Sequence, residues 1–116
     1  MKSALLVVAS ITIAASVYAE PAEEKLANLQ IEKAGLLTKF RSDNPRIKIL
    51  DVQILTLSKS PDIFNQKYYT ILKDKLISLK SEQAKLLFNC RSNNPAVSPV
   101  RAEIFFIEET LKDNAG

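Results

Sequence analysis

Apolar side chains recur along this chain at alternating intervals of three and four. Leu26, Leu29, Lys33, Leu36 and Phe40 form one such series, interrupted once by lysine. Ile47, Leu50, Ile54 and Leu57 form the second. Tyr69, Leu72, Leu76, Leu79, Gln83, Leu86 and Cys90 form the third, and Val97, Val100, Ile104, Ile107 and Leu111 the fourth. That spacing lines one face of a helix and is the repeat used by coiled coils and antiparallel bundles. Strand-like alternation is not sustained anywhere, and only two glycines occur. The pattern predicts four helices, near 22–41, 45–58, 62–91 and 96–113, with Ser98-Pro99 an alternative start for the last.

Between the series stand polar runs that end in proline. Ser42-Asp43-Asn44-Pro45 separates the first two helices, and Ser92-Asn93-Asn94-Pro95 separates the last two. Proline interrupts a helix but suits its first position, and asparagine suits the cap just before it. Each run therefore stops one helix and starts the next, and a short joint leaves the two helices as antiparallel neighbours. The rival reading is a single long helix kinked at Pro45 and at Pro95. Ser60-Pro61 repeats the device between the second and third helices, with Ser60 as cap. Arg41 and Arg91 are placed to answer the last carbonyls of the helices before the joints.

The two joints belong to a longer internal match. Residues 26–57 align without a gap on 76–107, and eleven of the 32 positions are identical, among them Leu26/Leu76, Leu36/Leu86, Arg41/Arg91, Pro45/Pro95 and Ile54/Ile104. Such a match is the signature of a duplicated structural unit. The expected fold is all-α: two tandem antiparallel helical hairpins, residues 22–58 and 62–113, forming a four-helix bundle or an elongated coiled coil.

One stretch of each copy resembles a known family. Leu36, Leu37, Phe40, Asn44, Pro45, Ile47, Leu50, Gln53, Ile54 and Leu57 are similar to the coiled-coil segments of bacterial polysaccharide chain-length-determinant and exopolysaccharide-export proteins. Leu86, Leu87, Cys90, Asn94, Pro95, Val97, Val100, Glu103, Ile104 and Ile107 follow the same pattern, with Cys90 in place of the aromatic residue. The resemblance implies a helical hairpin in each copy.

The first nineteen residues stand apart from this design. Lys2, an apolar run from Ala4 to Ala15, and Val17-Tyr18-Ala19 follow the grammar of a secretory signal peptide cleaved near Ala19. The run is short for an uncleaved membrane anchor, which needs about 20 apolar residues. The expected product is an exported domain, residues 20–116, in the periplasm or secreted. Cys90 is the sole cysteine, so it is either a buried thiol on the helix seam or the site of an intermolecular disulfide.

Chemistry is sparse in what remains. There is no histidine, which removes the usual general base near neutral pH and most zinc sites. No glycine-rich phosphate loop is present, and Glu23-Glu24 and Glu108-Glu109 point their neighbours in different directions on a helix. The sixteen basic and thirteen acidic residues are interleaved, giving a net charge of +3 and no basic patch for nucleic acid. An enzyme, a cofactor, a metal site and a small-molecule substrate are not expected.

What stands out is apolar surface beyond the seams. Ile49, Val52 and Leu55 on the second helix, and Phe105 and Phe106 on the fourth, lie beside the stripes that pair the hairpins. A helix apolar on more than one face belongs in the middle of a bundle or at an interface. Lys33 and Gln83 interrupt the seams at matching positions, either as polar contacts that set register or as a frayed, solvated point. The expected function is an exported, non-enzymatic helical interaction or scaffold module that self-associates or binds a protein partner. The alternatives are a small periplasmic holdase-type chaperone or stress protein, and an amphipathic factor that contacts membrane surfaces.

Overall fold

A computed structural model of the protein describes residues 21–89 and 94–115. Four helices make up the fold: α1 (Ala22–Leu36), α2 (Pro45–Ser58), α3 (Gln66–Asn89) and α4 (Val97–Ala115). One 3-10 turn, Pro61–Ile63, lies between α2 and α3. The helices pack as an all-α bundle, with α1 against α2 and α3 against α4 as two hairpins. The second hairpin then docks on α1 through both of its helices.

The seams carry the packing that their spacing predicts. Ile47 and Leu50 of α2 are buried, as are Val97, Val100, Ile104 and Ile107 of α4. A central cluster joins Leu26, Ala27 and Ile31 of α1 to Ile63, Tyr68, Leu72 and Ile107. Burying each large aliphatic or aromatic side chain there contributes about 1.5–3 kcal/mol. Tyr68 keeps its polar end satisfied, its hydroxyl donating to Gln30 Oε1 at 2.5 Å.

The central helix is α1, so of the two places expected for the doubly apolar second helix, the middle of the bundle or an interface, the middle is already filled. The reason lies in small residues. Ala27 and Gly35 are buried on the face of α1 away from its α2 seam, and they let the second hairpin approach closely. By contrast, α2 packs on α1 and the 3-10 turn and lies at the edge of the bundle.

Helix ends also differ from expectation. α1 stops at Leu36 rather than near Arg41, because the Thr38 hydroxyl takes the Gly35 carbonyl at 2.7 Å and tight turns follow. Phe40, expected at the end of the α1 seam, is therefore exposed in the joint. The joint after it works as read. Asn44 is extended, its side chain accepts from the Arg46 amide at 2.9 Å, and Pro45 opens α2 as a separate helix. A continuous kinked helix at Pro45 is thereby replaced by a turn.

At the third helix the reading fails. Ser60 makes no side-chain cap bond, and Pro61 opens only a 3-10 turn that drives Ile63 into the core. Phe64, with ψ of 63°, breaks that turn. α3 then starts at Gln66, capped by Asn65, whose Oδ1 accepts from the Tyr68 amide at 3.0 Å. Asn94 accepts from the Ala96 amide at 2.8 Å before α4, which begins at Val97. Cys90, Ser92, Asn93 and the signal-peptide segment lie outside the described residues, as does the choice between thiol and disulfide at Cys90.

Candidate interaction surfaces

α2 presents two apolar faces and uses one. Its inner seam lies on α1, while Ile49, Val52 and Leu55 on the outer side remain 60, 64 and 62% exposed. Steps of three residues place these side chains in a row that winds obliquely across the helix. Single exposed apolar residues are ordinary on a protein surface, whereas here three stand in one row on one helix.

A second unpartnered face lies on α3, and it escaped the seam-based reading. Ile77 and Phe88 are 69 and 89% exposed on the side away from α4. Ser81 and Ala84, both exposed, stand between them. The signal was present as a second 3-4 series, Ile77, Ser81, Ala84, Phe88, with two small residues too weak to register as a stripe. Lys73, Lys80 and Lys85 are exposed on the same helix.

The two phenylalanines of α4 part company. Phe105 is exposed, but Phe106 packs against the central cluster and lines a groove of about 280 Å³ with Gln30, Lys33, Ala34, Leu37 and Ile54. Lys33 itself reaches across to α2, its Nζ 2.5 Å from Asp51 Oδ1. That cross-helix pair is the register contact that one reading of the interrupted seam expects. Gln83, at the matching place on α3, is half-buried.

Polar groups at the interhelix contacts are shifted by their surroundings. Glu103 of α4 lies against Gly35, in a cleft shared with Glu32, Lys39, Arg46 and Pro99. Burial, and then the nearby Glu82 carboxylate, push Glu103 up to about 7. Tyr68 is pushed up to about 12, chiefly by burial and next by Tyr69, with the Gln30 bond opposing. At the other end of α1, Asn65 Nδ2 donates to Glu23 Oε2 at 2.8 Å and holds that carboxyl below its usual value.

Ion pairs tie neighbouring helices at the surface, Lys80 to Glu108 at 3.2 Å and Arg46 to Glu32 at 3.7 Å. Among the described residues no group of three acidic or cysteine side chains is placed to hold a metal ion. None of the described helices is long and apolar enough to cross a membrane. No family model, curated protein or solved structure matches the chain.

Proposed function

We propose that the chain is an exported, non-enzymatic interaction module that docks through its outer helix faces. The observation that carries this reading is the row Ile49, Val52 and Leu55, open on a helix whose other apolar face is already packed. Covering such a row removes apolar area from water, and flanking Lys48 and Lys59 remain free to face solvent. Export follows from the signal-peptide grammar of residues 1–19.

A photo-reactive amino acid in place of Val52 tests the reading in cells that produce the protein. Illumination is expected to give one or a few discrete cross-linked species. A smear of many masses would favour a holdase with unfolded clients, and the loss of all protein adducts would overturn docking by α2. Transfer of the probe to lipid alone would favour the membrane-surface alternative.

A further inference from the structure

The two open faces are related to two faces that already meet inside the chain. Within the molecule, the outer side of α4 packs on the outer side of α1, and the helices run antiparallel. Glu103 lies against Gly35, Pro99 lies by Leu36 and Lys39, and Phe106 lies by Gln30 and Ala34. A shift of fifty residues carries α1 onto α3 and α4 onto α2 of the internal match. Ala27, Ile31 and Ala34 then fall on Ile77, Ser81 and Ala84, while Pro99, Glu103 and Phe106 fall on Ile49, Gln53 and Thr56. The first six are buried or half-buried in the internal contact, and their six counterparts are exposed.

We propose that the partner of these faces is a second copy of the chain, docked head to tail with α2 of one copy on α3 of the next. This rests on the reading of the outer faces as docking surfaces. The internal register, shifted by fifty residues, sets Gln53 against Lys85 and Ile49 beside Leu86 and Asn89. Ile49 thus meets the neighbourhood of Phe88, the most exposed apolar residue on α3. Where Gly35 makes room for the Glu103 carboxylate, Lys85 offers an ammonium to the Gln53 amide oxygen, a complementary polar contact.

Side-chain size changes at the contact as well: where large Phe106 lies by Gln30 and Ala34 inside the chain, smaller Thr56 lies by Lys80 and Ala84 between copies, while the larger Ile77 and Lys85 stand where Ala27 and Gly35 do. A contact between two different patches leaves one face of each kind open in a pair, so it extends the array of hairpins copy by copy, into a closed ring or an open filament. It is weaker than its internal counterpart, because Ile63, Tyr68 and Leu72 contribute only inside the chain. The equivalence also separates centre from rim. Leu55 corresponds to Phe105, which stays 63% exposed beside the internal contact, so Leu55 lies at the rim and Ile49 at the centre.

Sedimentation of the chain from Glu20 onward, which contains every residue of the described core, tests this from about 1 μM to about 1 mM, the range of weak associations. The average mass of the unaltered protein is expected to rise with concentration past two chains. Ile49→Glu and Ala84→Glu should each remain single chains, and Leu55→Glu should still associate, all with unchanged helical circular dichroism. A one-to-one mixture of Ile49→Glu and Ala84→Glu retains one intact face of each kind and should stop at two chains. A single-chain unaltered protein, a silent mixture, or loss of association by Leu55→Glu equal to that of Ile49→Glu would overturn the proposal. Val52 cross-links to proteins of other masses, with the purified chain monomeric, would overturn the second copy as partner and leave docking by α2 standing. Absence of every protein adduct would remove both.

Discussion

The carboxylate of Glu103 rests on the backbone of α1 at Gly35, with Oε2 only 2.5 Å from where a Cβ at that position would stand. The absent side chain lets α4 lie close on α1, and it lets an acidic group occupy the contact half-buried. Gly35→Ala forces the flexible end of Glu103 outward, toward water. Alanine gains up to about 1 kcal/mol of helix propensity, so the net stability change is expected within about 1 kcal/mol. Glu103 titration, followed by NMR, should fall below about 7 in this variant.

Glu103 also sets a pH dependence. Its folded value of about 7 lies above the usual 4.5, so between these values the folded chain holds a proton that the unfolded chain has released. The stability that Glu103 contributes is therefore fully present below 4.5, falls as pH rises through that window, and is lost above 7. The group is half-buried and still reached by solvent, and screening cuts the effect to about 1 kcal/mol. Glu82 on α3 and Glu32, Lys39 and Arg46 around the cleft face the same group. Urea unfolding at pH 5 and pH 8 should show the loss, and Glu103→Gln should abolish it and be the more stable at pH 8.

Asn65 joins three elements through one side chain. It caps α3 at Tyr68, bonds the Asp62 carbonyl at 2.8 Å and holds Glu23 of α1. Asn65→Ala is expected to cost about 1 kcal/mol in thermal or urea unfolding, with the cap as the main loss. The same change should let the Glu23 carboxyl return upward toward its usual value, readable by NMR titration.

The Lys33–Asp51 pair holds α2 in register on α1 from a partly solvated position. A double-mutant cycle with Lys33→Ala and Asp51→Ala should give a coupling of about 0.5–1 kcal/mol. Lys33→Met should be nearly neutral, because its stem already lies along apolar surface.

The α2 and α4 seams were legible because they depend only on large side chains at helical spacing, as Ile47, Leu50, Val97, Ile104 and Ile107 show. The Asn44 and Asn94 turns were legible for a local reason, an amide acceptor beside a proline. The centre of the bundle was not. It turns on Ala27 and Gly35, whose contribution is the space they leave, and a count of apolar positions cannot see space. Ser60-Pro61 misled because its local chemistry suits a helix start, while burial of Ile63 favoured a single tight turn and moved the cap to Asn65. The α3 face was hidden in the same way as the centre, by the small residues Ser81 and Ala84 between Ile77 and Phe88.

Export has its own check. Mass spectrometry of the protein recovered outside the cytoplasm should find a chain that begins at Glu20, lacking the first nineteen residues. An intact Met1 start in that fraction, or retention of the whole chain inside the cell, would contradict the signal-peptide reading.

Methyl NMR across a dilution series tests the central claim most directly, because it reports each face separately. The Ile49 and Ala84 methyl signals are expected to move with concentration, while those of buried Ile104 and Ile107 and of rim residue Leu55 hold still. A spectrum unchanged from about 1 mM downward, or one in which Leu55 moves as much as Ile49, would contradict head-to-tail docking of α2 on α3.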